Sequence, residues 1–127
     1  SKAKHVVEAS RILCEKHNAL VPQDFQALVS LPGVGEKTAK VVLNVAFGRP
    51  LMAVDTHIFR VSGRTGLSRA KTPAAVGAFL EKHLASDLLI NAHHWILLHG
   101  RYCCTARKPQ CAQCPIADLC EYKEKTY

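Results

Sequence analysis

Apolar residues recur every three to four positions along most of the chain, which is the spacing of amphipathic helices. The first such stretch carries Val6, Ile12 and Leu13, and its Cys14 is expected to lie in the core. No stretch of useful length alternates apolar and polar residues as a strand would, and no internal repeat occurs. The pattern therefore predicts an all-α fold, with helices at about 2–17, 22–31, 36–47, 56–66, 73–84 and 87–98.

Capping residues indicate where several of these helices begin. Pro22 is well placed as an early residue of the second helix, because its missing N–H is not needed there. Asp55 precedes the periodic run that begins at Ile58, so it is expected to be an N-cap. Thr72 and Pro73 are expected to cap and open the next helix.

A short glycine turn separates the second helix from the third. Its residues are Leu31, Pro32, Gly33, Val34 and Gly35. Proline closes the preceding helix, and two glycines permit a tight backbone turn. Successive N–H groups can then point outward at the start of the next helix, where a phosphate docks without any side chain. An ordinary turn between two helices is the alternative interpretation.

Length and charge set the class of protein. With 127 residues and 48% apolar composition, the chain can bury one core and is expected to be a soluble domain. No apolar run is long enough for a membrane span and no signal peptide opens the chain, so an intracellular protein is expected. The net charge of +7 favours a polyanionic partner, although a merely soluble basic surface would look the same.

Five of the six cysteines crowd into the last quarter of the chain, which is typical of a metal site. Six, two and five residues separate four of them, and this spacing fits either a cubane iron–sulfur cluster or a single zinc ion; the four are Cys104, Cys111, Cys114 and Cys120. Cys103 is an extra thiol beside the first of these. The segment between the first two ligands offers Arg107 and Lys108 for phosphate contact. The nearby histidines are expected to pack or hydrogen-bond near Trp95 rather than to bind metal; they are His93, His94 and His99.

Three motifs together resemble the endonuclease III family of DNA glycosylases. The string Leu-Pro-Gly-Val-Gly-Glu-Lys-Thr-Ala at 31–39 is similar to the family's helix-hairpin-helix, and Val-Asp-Thr-His at 54–57 is similar to its aspartate motif. The cysteine spacing resembles the family's C-terminal [4Fe–4S] loop. The resemblance implies that Cys104 is the first cluster ligand and that the hairpin residues bind DNA.

The same resemblance implies a catalytic pair. Lys37 would be the nucleophile and Asp55 its carboxylate partner. An amine can attack C1′ of the deoxyribose and form a Schiff base, which permits β-elimination of the 3′ phosphate. A carboxylate can take the amine's proton or stabilise positive charge on the sugar.

The family's fold and activity supply the remaining expectations. They are a partial six-helix barrel over residues 1–86, a cluster domain over 87–127, and a longer parent protein whose N-terminal segment completes the barrel. The implied function is excision of oxidised pyrimidines from double-stranded DNA, with cleavage at abasic sites, by a monomer in the cytoplasm or nucleoid if the source is bacterial. A non-catalytic DNA-binding iron–sulfur module, or an inactive piece of such an enzyme, is the alternative.

Overall fold

The computed structural model describes all 127 residues and contains helices but no strands, so the all-α prediction is confirmed. The helices are α1 Lys2–Lys16, α2 Phe25–Val29, α3 Glu36–Val41, α4 Thr56–Thr65, α5 Pro73–His83 and α6 Ser86–Tyr102. A π-helical turn, Val42–Ala46, follows α3, and a 3₁₀ turn covers Cys111–Gln113. None of these helices has the length and apolar character needed to cross a lipid bilayer.

The chain forms two compact units, Ser1–Arg49 and Pro50–Tyr127. The domain division expected from the family resemblance, 1–86 and 87–127, stays a prediction. The compact units divide the chain at another position, between Arg49 and Pro50. The first unit contains α1 to α3 and the second contains α4 to α6.

In the first unit α2 packs on α3 around a small apolar core, formed by the buried side chains Leu28, Leu31, Ala39 and Leu43. The predicted start of α2 at Pro22 is wrong. The helix begins after Asp24, whose carboxylate accepts a hydrogen bond of 2.8 Å from the Ala27 N–H. That bond satisfies an N–H that the first turn would otherwise leave without a partner, so Asp24 sets the boundary.

Helix α1 has its predicted length but buries none of its residues. Its apolar residues Val6 and Val7 are 64% and 69% exposed, and Cys14 is exposed. The expectation that Cys14 lies in a core is therefore wrong, because no other helix of the unit covers the face that carries it.

The helix predicted over 36–47 changes type partway along. After Val41 it widens into the π-helical turn, in which Asn44 is buried and its Nδ2 donates to the Arg49 carbonyl at 2.9 Å. This bond ties the turn to the segment that leaves it. Single π turns of this kind occur within α-helices and loosen the regular ladder locally.

In the second unit α4 packs on α6, and α5 contacts both. The apolar core consists of Met52, Ile58, Val76, Leu80, Leu89 and Ala92. Asp55 and Thr72 cap their helices as predicted, by accepting from Ile58 N at 2.8 Å and from Ala75 N at 3.2 Å. A Cβ added at Gly100 would lie 3.0 Å from Cβ of His57, so glycine permits the close approach of α6 to α4.

We expect Ser62→Ala to stabilise the chain. Ser62 is completely buried on α4, and its hydroxyl oxygen has no hydrogen-bond partner. Because an unpaired buried hydroxyl carries a desolvation penalty, removing it should raise the free energy of unfolding by about 1 kcal/mol. Urea unfolding measures the change.

Ser68→Ala is the matched control for that measurement. Ser68 is as buried as Ser62, but its hydroxyl accepts a hydrogen bond of 3.4 Å from the Ala70 N–H. Its removal leaves that N–H without an acceptor, so this variant should lose stability. Equal effects of the two substitutions would contradict the explanation.

Candidate functional site

The glycine hairpin closes tightly between α2 and α3. Gly33 has φ +78°, a left-handed conformation that side chains disfavour, and a Cβ there would lie 2.9 Å from Cβ of His5. The Val34 N–H donates to the Leu31 carbonyl at 3.1 Å, and Leu31 is buried in the core of the first unit. Leu31 thereby anchors the turn to the core, while Gly33 and Gly35 stay exposed.

Gly35 is the N-cap of α3 and has no side chain to accept a hydrogen bond from the first turn. The next two residues, Glu36 and Lys37, are both exposed. The first N–H groups of a helix have no partner within the helix, and here no side-chain cap takes their place. Lys37 therefore lies in the first turn of α3. The glycine turn before it is exposed, so the backbone N–H groups there are accessible.

Asp55 is half-buried at the start of α4, where its Oδ1 accepts the 2.8 Å bond from Ile58 N. The cap uses one carboxylate oxygen and fixes the side chain's orientation. Asp55 belongs to the second compact unit and Lys37 to the first. His57, in the first turn of the same helix, hydrogen-bonds through Nδ1 to Nη2 of Arg60 at 3.2 Å.

All four predicted cluster ligands line a single hollow in the second unit, together with Cys103 and His99. All five thiols are half-buried, and none is in a disulfide. Arg107 and Lys108, the predicted phosphate contacts, are exposed on the segment between the first two ligands. That segment is folded back by a 2.7 Å bond from the Thr105 hydroxyl to the Lys108 carbonyl.

Two arginines of α4 hold this segment in place. Arg60 donates through Nε to the Cys104 carbonyl at 3.1 Å and through Nη2 to the Gly100 carbonyl at 2.7 Å. Arg64 donates to the carbonyls of Thr105 and Ala106 at 2.7 and 2.8 Å and to Cys104 Sγ at 3.5 Å. The Arg64 guanidinium also stacks 4.8 Å from the Tyr122 ring centre.

Sequence reasoning missed both arginines. Their spacing of four residues puts them on one helix face, but the groups that they contact lie about 40 positions further along the chain.

His99 also lines the hollow, and it lines a second cavity together with Trp95, near which it was expected to lie. Its Nε2 lies 3.7 Å from Sγ of Cys114, and burial lowers the pKa of the imidazole, which favours the neutral form. Of the other two histidines, His93 is buried as expected, whereas His94 is exposed.

The donor set fits an iron–sulfur cluster. Burial raises the pKa of the Cys103 thiol to about 11, and a hydrogen bond to Cys114 and the negative charges of Cys114, Cys104 and Cys111 add to the rise. The four predicted ligands lie in the same hollow and can supply the four thiolates that a cubane cluster takes. Iron with inorganic sulfide is a centre that soft thiolates bind well.

Two family models match parts of the chain. Residues 16–45 match the helix-hairpin-helix motif, and residues 104–120 match the iron-sulfur binding domain of endonuclease III. The second match begins and ends on predicted ligands. The cofactor of the cysteine-rich segment is a [4Fe–4S] cluster, in agreement with the expectation from the sequence.

Curated relatives match nearly the whole chain. The endonuclease III of Escherichia coli (strain K12) is 55% identical over 125 residues, which are 98% of this chain and 59% of that protein. The endonuclease III of Treponema pallidum (strain Nichols) is 53% identical over 94% of this chain and 57% of its own length. The chain thus spans a little under three fifths of the length of these two relatives.

Solved structures match the fold equally well. A non-covalent endonuclease III–DNA complex has a TM-score of 0.86 at 42% identity, over 94% of this chain and 56% of that one. A trapped covalent intermediate of endonuclease III with DNA has a TM-score of 0.85, also at 42% identity and over the same shares of both chains. A thermostable thymine-DNA glycosylase has a TM-score of 0.85 at 26% identity, over 98% of this chain and 59% of that one.

The helix-hairpin-helix glycosylase fold with a cluster segment, expected from the sequence, is confirmed by this similarity. Two family models in the expected order, high identity along nearly all residues and the shared fold agree: the resemblance to the endonuclease III family that the sequence motifs indicate is confirmed.

Proposed function

We propose that this chain is the hairpin-and-cluster part of a DNA glycosylase that releases oxidised pyrimidines from duplex DNA and cleaves the resulting abasic site. The observation that carries the proposal is the position of Lys37 in the first turn of α3, directly after the exposed glycine turn. Phosphate binding at the turn would bring deoxyribose within reach of an amine that is already in solvent.

The DNA contacts that we propose are of two kinds. Backbone N–H groups of the hairpin bind phosphate oxygens, so they position the duplex without reading its sequence. Arg107 and Lys108 add two exposed positive charges on the cluster segment, and the chain's net charge of +7 steers it to a polyanion. Similarity to endonuclease III–DNA complexes supports this partner.

The proposed reaction uses Lys37 as the nucleophile. Its amine gives up a proton and attacks C1′, and the bond from C1′ to the base breaks with its electron pair going to the base. Opening of the sugar ring then breaks the C1′–O4′ bond, with a proton going to O4′, and leaves a Schiff base between C1′ and Lys37. This Schiff base acidifies the C2′ proton; loss of that proton forms the C2′–C3′ double bond and breaks the C3′–O3′ bond, which expels the 3′ phosphate. One similar structure is a trapped covalent endonuclease III–DNA intermediate, which supports a covalent route.

Asp55 supplies the negative charge for this reaction. As the bond to the base breaks, positive charge develops on the sugar, and an ionised carboxylate held in a fixed orientation stabilises it. The N-cap bond to Ile58 N provides that orientation while it occupies only Oδ1. Asp55 can also accept the proton that Lys37 releases.

The cluster's proposed contribution is structural. Cys104, Cys111, Cys114 and Cys120 would hold it. When bound, it cross-links a segment that is otherwise short of apolar packing and so fixes the position of Arg107 and Lys108.

Borohydride trapping on duplex DNA that contains thymine glycol tests the proposal. The wild-type chain should form a covalent adduct, because borohydride reduces the Schiff base to a stable amine. Lys37→Ala should lower the adduct yield by at least about 100-fold, since no other group replaces the nucleophile. Lys71→Ala, an exposed lysine of the second unit, is the matched control and should trap normally.

Two results would overturn the proposal. One is an undiminished adduct with Lys37→Ala. The other is a wild-type chain that forms no adduct and binds damaged and undamaged DNA equally in a salt-sensitive way. That second result would favour the non-catalytic DNA-binding module.

A further inference from the structure

The cysteine hollow contains more metal-binding groups than a cubane cluster uses. Five thiols and one imidazole line it, whereas a [4Fe–4S] cluster takes four ligands, one for each iron. The two groups outside the predicted cluster set are Cys103 and His99. Both lie against the same predicted cluster ligand, Cys114.

The distances among these three residues fit a mononuclear metal ion. Zinc binds sulfur at about 2.3 Å and imidazole nitrogen at about 2.0 to 2.1 Å in a tetrahedron, which puts neighbouring ligand atoms roughly 3.5 to 3.8 Å apart. Nε2 of His99 lies 3.7 Å from Sγ of Cys114, and all three ligand atoms lie within 4.8 Å of one another. Cubane ligands bind different irons and stand further apart.

The end of α6 fixes the relative positions of two of the three donors. Cys103 is the C-cap of α6, and its N–H bonds to the His99 carbonyl at 2.9 Å. His99 and Cys103 are thus one helical turn apart, a spacing that directs two ligands to one side. Cys114 ends the 3₁₀ turn, where its N–H bonds to the Cys111 carbonyl at 3.2 Å.

We propose that His99 Nε2, Cys103 Sγ and Cys114 Sγ form a second metal site that takes one Zn²⁺ when the cubane is absent. The two thiols each lose a proton as they bind, His99 keeps its proton on Nδ1, and a water molecule completes the tetrahedron. Because Cys114 is common to both sites, zinc and the cluster exclude each other. Zinc at this site fastens the cysteine-rich segment to the end of α6.

Cobalt titration of the iron-free chain tests the site, because Co²⁺ takes zinc's place in tetrahedral sites and is visible. We expect one Co²⁺ per chain, with the charge-transfer intensity of two thiolates, and displacement of the cobalt by Zn²⁺. Cys103→Ser should weaken metal binding at least about tenfold, while Cys120→Ser should not change it.

Iron content of the cluster-loaded chain should show the opposite dependence. Cys120→Ser should lose the cluster and Cys103→Ser should keep it. Cys14→Ser, which alters an exposed thiol of the first unit, should affect neither metal.

Unchanged zinc binding in Cys103→Ser, or a cobalt spectrum of four thiolates, would overturn the proposal in favour of zinc held by the cluster cysteines. If circular dichroism shows that removing the iron unfolds the chain, metal analysis of chain produced in zinc-rich, iron-poor medium replaces the titration. There, equal zinc in Cys103→Ser and wild type overturns the proposal, and depleted zinc in the variant supports it.

Discussion

In zinc-free solution, Cys111→Ser is expected to strip the cluster from the chain and release the cysteine-rich segment from α4 and α6. Between residues 103 and 127 only Pro109 is buried, so apolar packing contributes little to holding this segment. We expect its order to depend on the cluster, on the two arginines of α4 and on a few backbone bonds. A segment of this kind needs its metal centre to stay folded.

Hydrogen exchange and iron analysis measure this effect. Iron should fall to background, and amides between 103 and 122 should exchange at least about 100-fold faster. That factor corresponds to about 2.8 kcal/mol of lost local stability, since 1.4 kcal/mol changes an equilibrium constant tenfold. Amides of α2 and α3, in the other compact unit, should exchange as before.

Cys14→Ser controls for the loss of a thiol as such and should keep its iron. A Cys111→Ser chain with full iron content would show that another thiol replaces Cys111. The structure offers one in the same hollow, Cys103, so the double variant Cys103→Ser/Cys111→Ser identifies the substitute.

Asp55→Asn is expected to slow base release by at least about 100-fold while leaving the fold as stable as before. Asparagine caps a helix about as well as aspartate does, so the free energy of unfolding should change by less than about 0.5 kcal/mol. The amide carries no charge, however, and cannot stabilise positive charge on the sugar or accept a proton. Removing one preorganised electrostatic group typically costs 100-fold or more in rate.

Single-turnover release of thymine glycol measures the rate, and urea unfolding measures the stability. Asp24→Asn is the matched control, because Asp24 is the other aspartate that caps a helix through the same kind of bond. It should leave base release unchanged. If Asp55→Asn releases base at the wild-type rate, Asp55 acts as a cap alone.

Helix ends could be predicted where a side chain bonds to the backbone a few residues away. Asp55 and Thr72 cap their helices as expected, because those bonds depend only on local sequence. The start of α2 was wrong because two start signals, Pro22 and Asp24, lie two residues apart. The sequence pattern does not show whether the helix begins at Pro22, which lacks an N–H, or after Asp24, whose carboxylate accepts a bond from the Ala27 N–H.

Long-range contacts account for most of what the pattern did not predict. Helix α6 runs to Tyr102 instead of ending near residue 98, and Arg60 holds its end by bonding to the Gly100 carbonyl. The apolar stripe stops before that point, so periodicity could not extend the helix. The position of His99 in the hollow likewise depends on a long-range contact, because Cys114 lies 15 positions further along the chain.

The residues of the candidate site also differ in whether local sequence could predict them. Cysteine spacing is local, and it predicted four cysteines that share one hollow, whereas the family resemblance supplied the choice of a [4Fe–4S] cluster over zinc. The proposed roles of Lys37 and Asp55 rest on motif resemblance. Neither residue's chemistry is visible in its own flanking pattern, which by itself indicates an exposed lysine and a helix cap.

Helix α4 carries Asp55 at its first end and the arginines that grip the cysteine-rich segment along its last two turns. Each residue in a helix advances the chain by about 1.5 Å and rotates it by about 100°. A single residue inserted or deleted within α4 would turn Arg60 and Arg64 away from their carbonyl partners while Asp55 kept its cap. We therefore expect any insertion or deletion between Asp55 and Arg64 to break the contacts of α4 with the cysteine-rich segment, even where individual side chains in that stretch can be replaced.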